Sequence, residues 1–312
     1  MLLLAGVLWT GMAMGQDPID KVATKLDRSE LNVKDSVRPW TILGTATVNI
    51  NQATFTNWAS GGQNSFGAGA LFNLKADYRR QKSSWKNTID LAYGFQLLGK
   101  SSAARFTKTD DKVEYTTSYG YALGKHWDVT LLANVRTQFT NGYNYPNDSV
   151  AISKFMAPGY VVAGIGINYV PAEFFTLYVS PAAGRFTFVE DDTLSAHGDF
   201  GVEKGKRMKG EFGAYVRAVF NKEVFKNVTV NTSVELFSDY LHKFGNVDVN
   251  WNVLVGLKVN KWLSTTINTQ LIYDDDVRIK TPKGDVPRTQ FKEVIGVGLS
   301  YAFHQRKQGK RE

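Results

Sequence analysis

Residues 247–259 read VDVNWNVLVGLKV, and this stretch decides the fold. Val247, Val249, Trp251, Val253, Val255, Leu257 and Val259 occupy every second position. Asp248, Asn250, Asn252, Gly256 and Lys258 fill positions between them. Side chains of a strand alternate between its two faces, so this period of two makes one face apolar and the other polar. The run is longer than a soluble strand of about 5 or 6 residues. It suits a tilted strand crossing a bilayer, which needs about 9 to 11.

The same alternation recurs outward from this stretch in both directions. Val113, Tyr115, Tyr119, Tyr121 and Leu123 alternate with Glu114, Thr116, Ser118 and Gly120. Trp127, Val129, Leu131, Ala133 and Val135 alternate with Asp128, Thr130, Asn134 and Arg136, and Phe212, Ala214, Val216 and Ala218 with Glu211, Gly213, Tyr215 and Arg217. About twelve strands are expected: 43–54, 65–80, 84–98, 111–124, 126–140, 157–170, 173–188, 208–221, 227–241, 246–259, 262–274 and 289–303. Connections after the even strands are short, and most of those after the odd strands are long. Aromatic residues gather near the strand ends, among them Trp85, Trp127, Phe139, Phe174, Tyr240, Trp262, Tyr273 and Phe291. An even strand count, short turns on one side, long loops on the other and aromatic girdles describe an all-β, transmembrane, antiparallel up-and-down β-barrel of the outer membrane.

Composition agrees by exclusion. The chain has 312 residues, 43% of them hydrophobic and 13% aromatic, which is too apolar for a disordered polymer. It has no cysteine, so disulfide scaffolds, thiolate catalysis and Cys metal sites are excluded. Beyond the N-terminus no apolar run approaches the roughly 18 residues of a membrane-spanning helix. The net charge of +8 comes without an Arg-rich recognition helix, so nucleic acid is not an expected partner. Phosphates of membrane lipid suit the basic ends better.

Four segments are expected. Residues 1–15 read as a signal peptide: Leu2 to Trp9 is too short to span a bilayer, and Ala13-Met14-Gly15 supplies a small-residue cleavage site. No Lys or Arg precedes this apolar run, which fits a true start codon lying further upstream. The alternative is a buried N-terminal helix. Residues 16–40 form a charge-balanced periplasmic lead-in, 41–303 the barrel, and 304–312 a basic tail.

Several motifs resemble a Bacteroidota outer-membrane β-barrel family catalogued as a domain of unknown function (DUF3078-like). They are Asn51-Gln52-Ala53-Thr54-Phe55-Thr56-Asn57-Trp58-Ala59-Ser60-Gly61-Gly62, Lys108-Thr109-Asp110-Asp111-Lys112, and Thr137-Gln138-Phe139 with Gly142-Tyr143-Asn144-Tyr145-Pro146. Ser180-Pro181 with Gly184-Arg185-Phe186-Thr187-Phe188-Val189, and Leu271-Ile272-Tyr273-Asp274-Asp275-Asp276, complete them. The resemblance spans roughly Trp40 to Phe303 and implies an outer-membrane barrel, with no substrate attached.

Candidate functional residues lie on the polar faces. Lys75, Asp77, Asp90, Glu114, Asp128, Arg136, Glu211, Arg217, Glu235, Asp248 and Lys258 are expected to line the lumen. Twelve strands enclose more space than the eight that side chains just fill, so these mixed charges either pair across the interior or line a narrow watery path. Asn57, Trp58, Gly61 and Gly62 mark an outer loop that contacts a partner or anchors in headgroups. Asp110, Asp111, Asp274, Asp275 and Asp276 sit at expected outer ends, where converging carboxylates could hold Ca²⁺, although neighbours on one strand point opposite ways. A solvated acidic rim is the plainer account, and no metal or other cofactor is expected. His126, His197, His242 and His304 fall at turns, in loops or past the last strand, which gives a Ser–His hydrolase nothing to work with. The chain therefore reads as a non-enzymatic barrel in contact with outer-membrane lipid. It serves as a small passive channel or transport component, or alternatively as a non-conducting scaffold subunit with envelope-protein partners.

Overall fold

In a computed structural model, the structure describes residues 40–53, 65–99, 105–242, 244–260, 262–281 and 284–305. The signal peptide, the lead-in before Trp40, the Asn57–Gly62 loop and residues 306–312 lie outside them.

Twelve strands form one closed antiparallel barrel. In chain order they are β1 (Trp40–Ala53), β2 (Ser65–Arg80), β3 (Ser83–Leu98), β4 (Arg105–Ala122), β5 (Trp127–Thr137) and β6 (Gly159–Ala172). There follow β7 (Phe175–Phe188), β8 (Met208–Phe225), β9 (Val228–Asp239), β10 (Asp248–Lys258), β11 (Leu263–Tyr273) and β12 (Gln290–Gln305). Each strand pairs with its neighbours in sequence, and β1 closes on β12 from Ile42↔Gln305 to Ile50↔Val297. Closure leaves no sheet edge, the only way a sheet can satisfy all its backbone groups inside hydrocarbon. No described helix is long and apolar enough to cross a membrane.

The expected strands are all present, with boundaries shifted by a few residues; β8 runs on to Phe225, past the expected 221, and β5 stops at Thr137, short of the expected 140. β4 begins at Arg105, before the expected 111, so Asp110 and Asp111 sit within the strand and not at its outer end. β12 runs through His304 to Gln305, past the expected end at Phe303. The turns at one end are tight: residues 81–82, 173–174 and 226–227 each join two strands, with Gln81 and Asn227 at positive φ. The other end carries 138–158, 189–207 and 274–289. Small elements order these long connections: a hairpin of Gly142–Tyr143 with Ala151–Ser153, helix α1 (Asp192–His197), and a hairpin of Arg278–Thr281 with Gly284–Pro287.

The outside of the cylinder is apolar and open. Leu131 is 57% exposed, Ile165 55% and Leu299 61%, at mid-strand positions where a soluble protein would bury them. Two aromatic girdles flank this belt. At the short-turn end Trp40 packs on Tyr78 and Trp85, Trp127 stacks on Tyr169, and Phe174 meets Phe220 edge-on. At the long-loop end Phe95 stacks on Phe106 and Phe212 meets Tyr240. The residues buried in the barrel include Glu114, Asp128, Glu211, Glu235 and Asn250 beside Leu132, Tyr178, Tyr215 and Phe237. Polar inside and apolar outside is the inverse of a soluble barrel, and it makes this an outer-membrane β-barrel.

β-Bulges locally reshape this wall. β7 carries one extra residue against both β6 and β8, around Ser180-Pro181-Ala182. Pro181 has no N–H for the ladder, so a bulge is where the strand tolerates it. Ser180 Oγ donates to the carbonyls of Ile165 and Ala182, and Tyr240 Oη donates to the Pro181 carbonyl. Gly166 faces this bulge, where a Cβ would meet the Val179 carbonyl oxygen at 2.2 Å, while on the other side of β8 a Cβ at Gly213 would meet the Ser238 carbonyl oxygen of β9 at 1.9 Å.

Candidate functional site: a charge-crossed lumen

The lumen is built from the polar positions of the strands, and its charged side chains reach across it. On β4, Glu114 takes a bond from Lys112 at 2.9 Å and from Asn134 of β5 at 2.9 Å. Arg136 of β5 approaches Glu235 of β9 at 3.6 Å, spanning four strands of the cylinder. Arg217 of β8 reaches the other oxygen of Glu235 at 3.3 Å, and Asn250 donates to that carboxylate at 3.1 Å. Nearer the long loops, Lys292 of β12 pairs with Asp110 of β4 at 2.7 Å.

Arg185 of β7 holds a second cluster. It makes a two-pronged contact with Glu211 of β8, at 2.8 and 2.6 Å. It also meets Asp248 of β10 at 2.5 Å and Asp274, just past β11, at 3.7 Å. Its guanidinium lies 4.4 Å from the centroid of the Phe237 ring. The planar five-donor fork of arginine suits several carboxylates at once, which a lysine cannot match. Lys209 bridges Glu211 to Asp276, and Asp276 lies against Gly201 of the 189–207 loop. The 189–207 and 274–289 connections thereby approach each other beside β8. Asp191 caps α1 through the amides of Thr193 and Leu194 and accepts from Lys154. The bond from Lys154 and those amides hold the Asp191 carboxyl below its ordinary range.

The remaining expected lumen residues also sit on inward positions. Asp90 accepts from Asn73 at 2.6 Å, and Asp128 is buried. Lys75 and Asp77 lie on the inward register of β2, where Lys75, Lys86 and Arg79 surround Asp77 with positive charge. Lys258 ends β10.

The acidic clusters separate. Asp110 faces Lys292, while Asp111 accepts from Lys108 and from the Phe139 and Thr140 amides. Asp274 faces Arg185, Asp275 accepts from Asn246, and Asp276 faces Lys209. The expected chance of Ca²⁺ coordination meets this arrangement: among the described residues no group of three His, Cys, Asp or Glu side chains comes together to hold a metal ion. His126 contacts the Val170 carbonyl, and His197 and His242 face Asp199 and Asp239. The side chain of His304 lies outside the described residues.

Sequence reasoning missed Arg185, Lys112, Lys209 and Lys292. Lys112 and Lys209 share the inward parity of Glu114 and Glu211, and Lys292 shares that of Gly296 and Gly298 on β12. Arg185 does not follow from parity, because Tyr178 and Ser180 face inward and simple alternation would then turn residue 185 outward. The extra residue at Pro181 shifts the count, so Ala183, Arg185 and Thr187 face in.

Comparison with known proteins finds one family and several structural likenesses. Residues 50–143 match a family model described as a protein of unknown function (DUF3078). No curated protein matches the chain. An outer-membrane channel from Pseudomonas putida F1 is similar in structure at 12% identity, over 90% of this chain and 100% of that one, with a TM-score of 0.37. The NanC porin is similar at 10% identity, over 82% and 98% of the two chains, with a TM-score of 0.35. Outer membrane phospholipase A from Escherichia coli is similar at 9% identity, over 85% and 98%, with a TM-score of 0.32. These likenesses are loose, and the barrel assignment stands on the closed sheet and its two faces.

Proposed function

We propose that the protein is a narrow passive channel of the outer membrane for small hydrophilic solutes. The observation that carries this reading is the polar interior: β4, β5, β7, β8, β9, β10 and β12 all send charged side chains inward. Charged groups lining an interior favour water over an apolar fill, and a continuous file of such water is a conduction path. Side chains that cross it, such as Arg136 to Glu235, narrow the path and set selectivity by local charge. The lumen-lining role belongs to Lys75, Asp77, Asp90, Glu114, Asp128, Arg136, Glu211, Arg217, Glu235, Asp248 and Lys258, joined by Lys112, Arg185 and Lys292. No residue is assigned a catalytic role. The motif resemblance supports membership of the Bacteroidota barrel family over the whole of residues 40–303.

Purified, heat-modifiable protein in planar bilayers is expected to give small discrete current steps. Replacing both Arg136 and Glu235 by alanine is expected to enlarge those steps, because the crossing pair is removed while the local charge stays balanced. A second reading is favoured by the same cross-lumen pairs: a closed scaffold subunit of an envelope complex. Silent bilayers with correctly folded protein, together with stoichiometric partners in a mild-detergent pull-down, would select the scaffold.

A further inference from the structure

The ionic network does not run all the way round the lumen. On β11 from Ser264 to Gln270, β12 from Val294 to Ser300, β1 from Thr45 to Asn51 and β2 from Gly67 to Asn73, every inward residue is uncharged. Side chains on this side bond to others one or two strands away and lie along the wall. Thr47 Oγ1 meets Ser300 Oγ at 2.9 Å, Ser300 Oγ meets Ser264 Oγ at 2.6 Å, and Asn49 Nδ2 donates to Thr266 Oγ1 at 3.2 Å. Asn49 covers Gly296, where an added Cβ would come within 2.8 Å of its side chain. The ion pairs of Arg136, Arg185 and Arg217 lie between β5 and β10, on the opposite side of the cylinder.

A recess lies against the uncharged wall. It holds about 480 Å³ of space not filled by protein atoms, part of it continuous with solvent. Asn49, Asn51, Thr109, Thr266 and Asn268 bring amides and hydroxyls to it. Asp110 also lines it, with its charge met by Lys292 at 2.7 Å. Gly69 leaves room. A Cβ there would meet no atom closer than 3.7 Å, so packing does not demand a glycine, and a side chain would grow into the recess.

We infer that this recess binds small neutral polyhydroxylated solutes, and that they pass along the β11–β12–β1–β2 wall beside the ionic network. As the route of a permeating solute the inference rests on the channel reading; as a binding site it does not. Amides and hydroxyls together both donate and accept, which matches the hydrogen-bonding capacity of an alcohol. An ion entering the recess loses hydration with no uncommitted counter-charge to offset it. A neutral polyol exchanges bonds to water for bonds to the wall, and the small net gain lets it leave again.

The chain has no cysteine, so one introduced thiol reports on one place. In the full-length protein folded into lipid vesicles, Gly69→Cys is expected to react with benzyl methanethiosulfonate, and xylitol is expected to slow that reaction. In vesicle-swelling measurements on the wild type, xylitol is expected to enter about tenfold faster than xylonate, an anion with the same number of carbons. Benzylation of the introduced thiol is expected to slow xylitol entry about tenfold. Asn268→Leu, which removes an amide at similar volume, is expected to slow it about fivefold, the effect of one lost hydrogen bond. A thiol that xylitol protects, in a protein that admits no solute, would uphold the binding site and end the channel reading. Where solute does enter, an unreactive or unprotected thiol, entry that benzylation leaves unchanged, or xylonate entering as fast as xylitol would overturn the inference and leave the channel. No entry together with no protection would end both.

Discussion

Arg185 shows how much one side chain settles in this interior. Glu211 is 5% exposed, and Asp248 and Asp274 converge on the same guanidinium. Removing one partner of a buried ion pair leaves a carboxylate in low dielectric with nothing to offset its lost hydration, at a cost of about 3–5 kcal/mol. Arg185→Ala is therefore expected to lower the urea stability of the micelle-bound barrel by about that amount. Arg185→Lys is expected to recover only part of it, because an ammonium cannot form the two-pronged contact. Equal stability of the alanine variant and the wild type would show that water already screens this cluster. At the same scale, Gly213 is irreplaceable where Ser238 crowds its backbone, whereas Gly256 has nothing within 4 Å of an added Cβ.

Among the elements, the 189–207 connection carries a small core of its own. Val189, Leu194 and Val202 form a small apolar cluster with Ala157 of the neighbouring loop, and Phe200 packs against it. α1 is too short to persist by propensity, so its N-cap and this cluster keep it in place. The Asp191 carboxyl is held below its ordinary value near 3.8, chiefly by its bond from Lys154 and by the Leu194 amide. Lowering a carboxyl pKa on folding adds stability above the unfolded pKa and loses it as pH falls through the folded value. Hydrogen exchange of the Thr193 and Leu194 amides is expected to be protected at neutral pH and to lose protection as pH falls below about 4. Asp191→Ala is expected to remove that pH dependence and to destabilise the loop by about 1 kcal/mol at neutral pH. Protection that does not change with acid would mean the apolar cluster alone holds the turn. The strands themselves were legible because alternation over long runs marks which face meets lipid. Loop elements were not, since hairpins of two or three residues and a single helical turn leave no period to read.

At the scale of the molecule, the reversed polarity of the cylinder makes a claim that one substitution can test. Leu131 lies mid-strand and 57% exposed. If hydrocarbon surrounds it, Leu131→Arg costs about 2–4 kcal/mol of folding stability in bilayers, and an arginine near the interface at Trp262 costs about 0–1 kcal/mol. In a water-soluble barrel both changes would be nearly neutral, and refolding into lipid vesicles with urea titration separates the cases. Which polar residues share the inward face was legible for the same reason as the strands: the polar face repeats every second residue. Their partners were not. Glu235 meets Arg136 across four strands, and Lys292 meets Asp110 a far distance along the chain, pairings that depend on barrel diameter and stagger.

The sequence by itself determined that twelve amphipathic strands alternate between lipid and water, and that their turns are short on one side and long on the other. Local chemistry suffices for this, because each strand carries its own two-residue pattern and each turn its own length. Only the tertiary structure decided which charges meet, that Arg185 faces inward after the bulge at Pro181, and that the outer carboxylates disperse among separate partners. Those outcomes depend on register and closure, and a single extra residue in one strand reverses the face of every side chain beyond it.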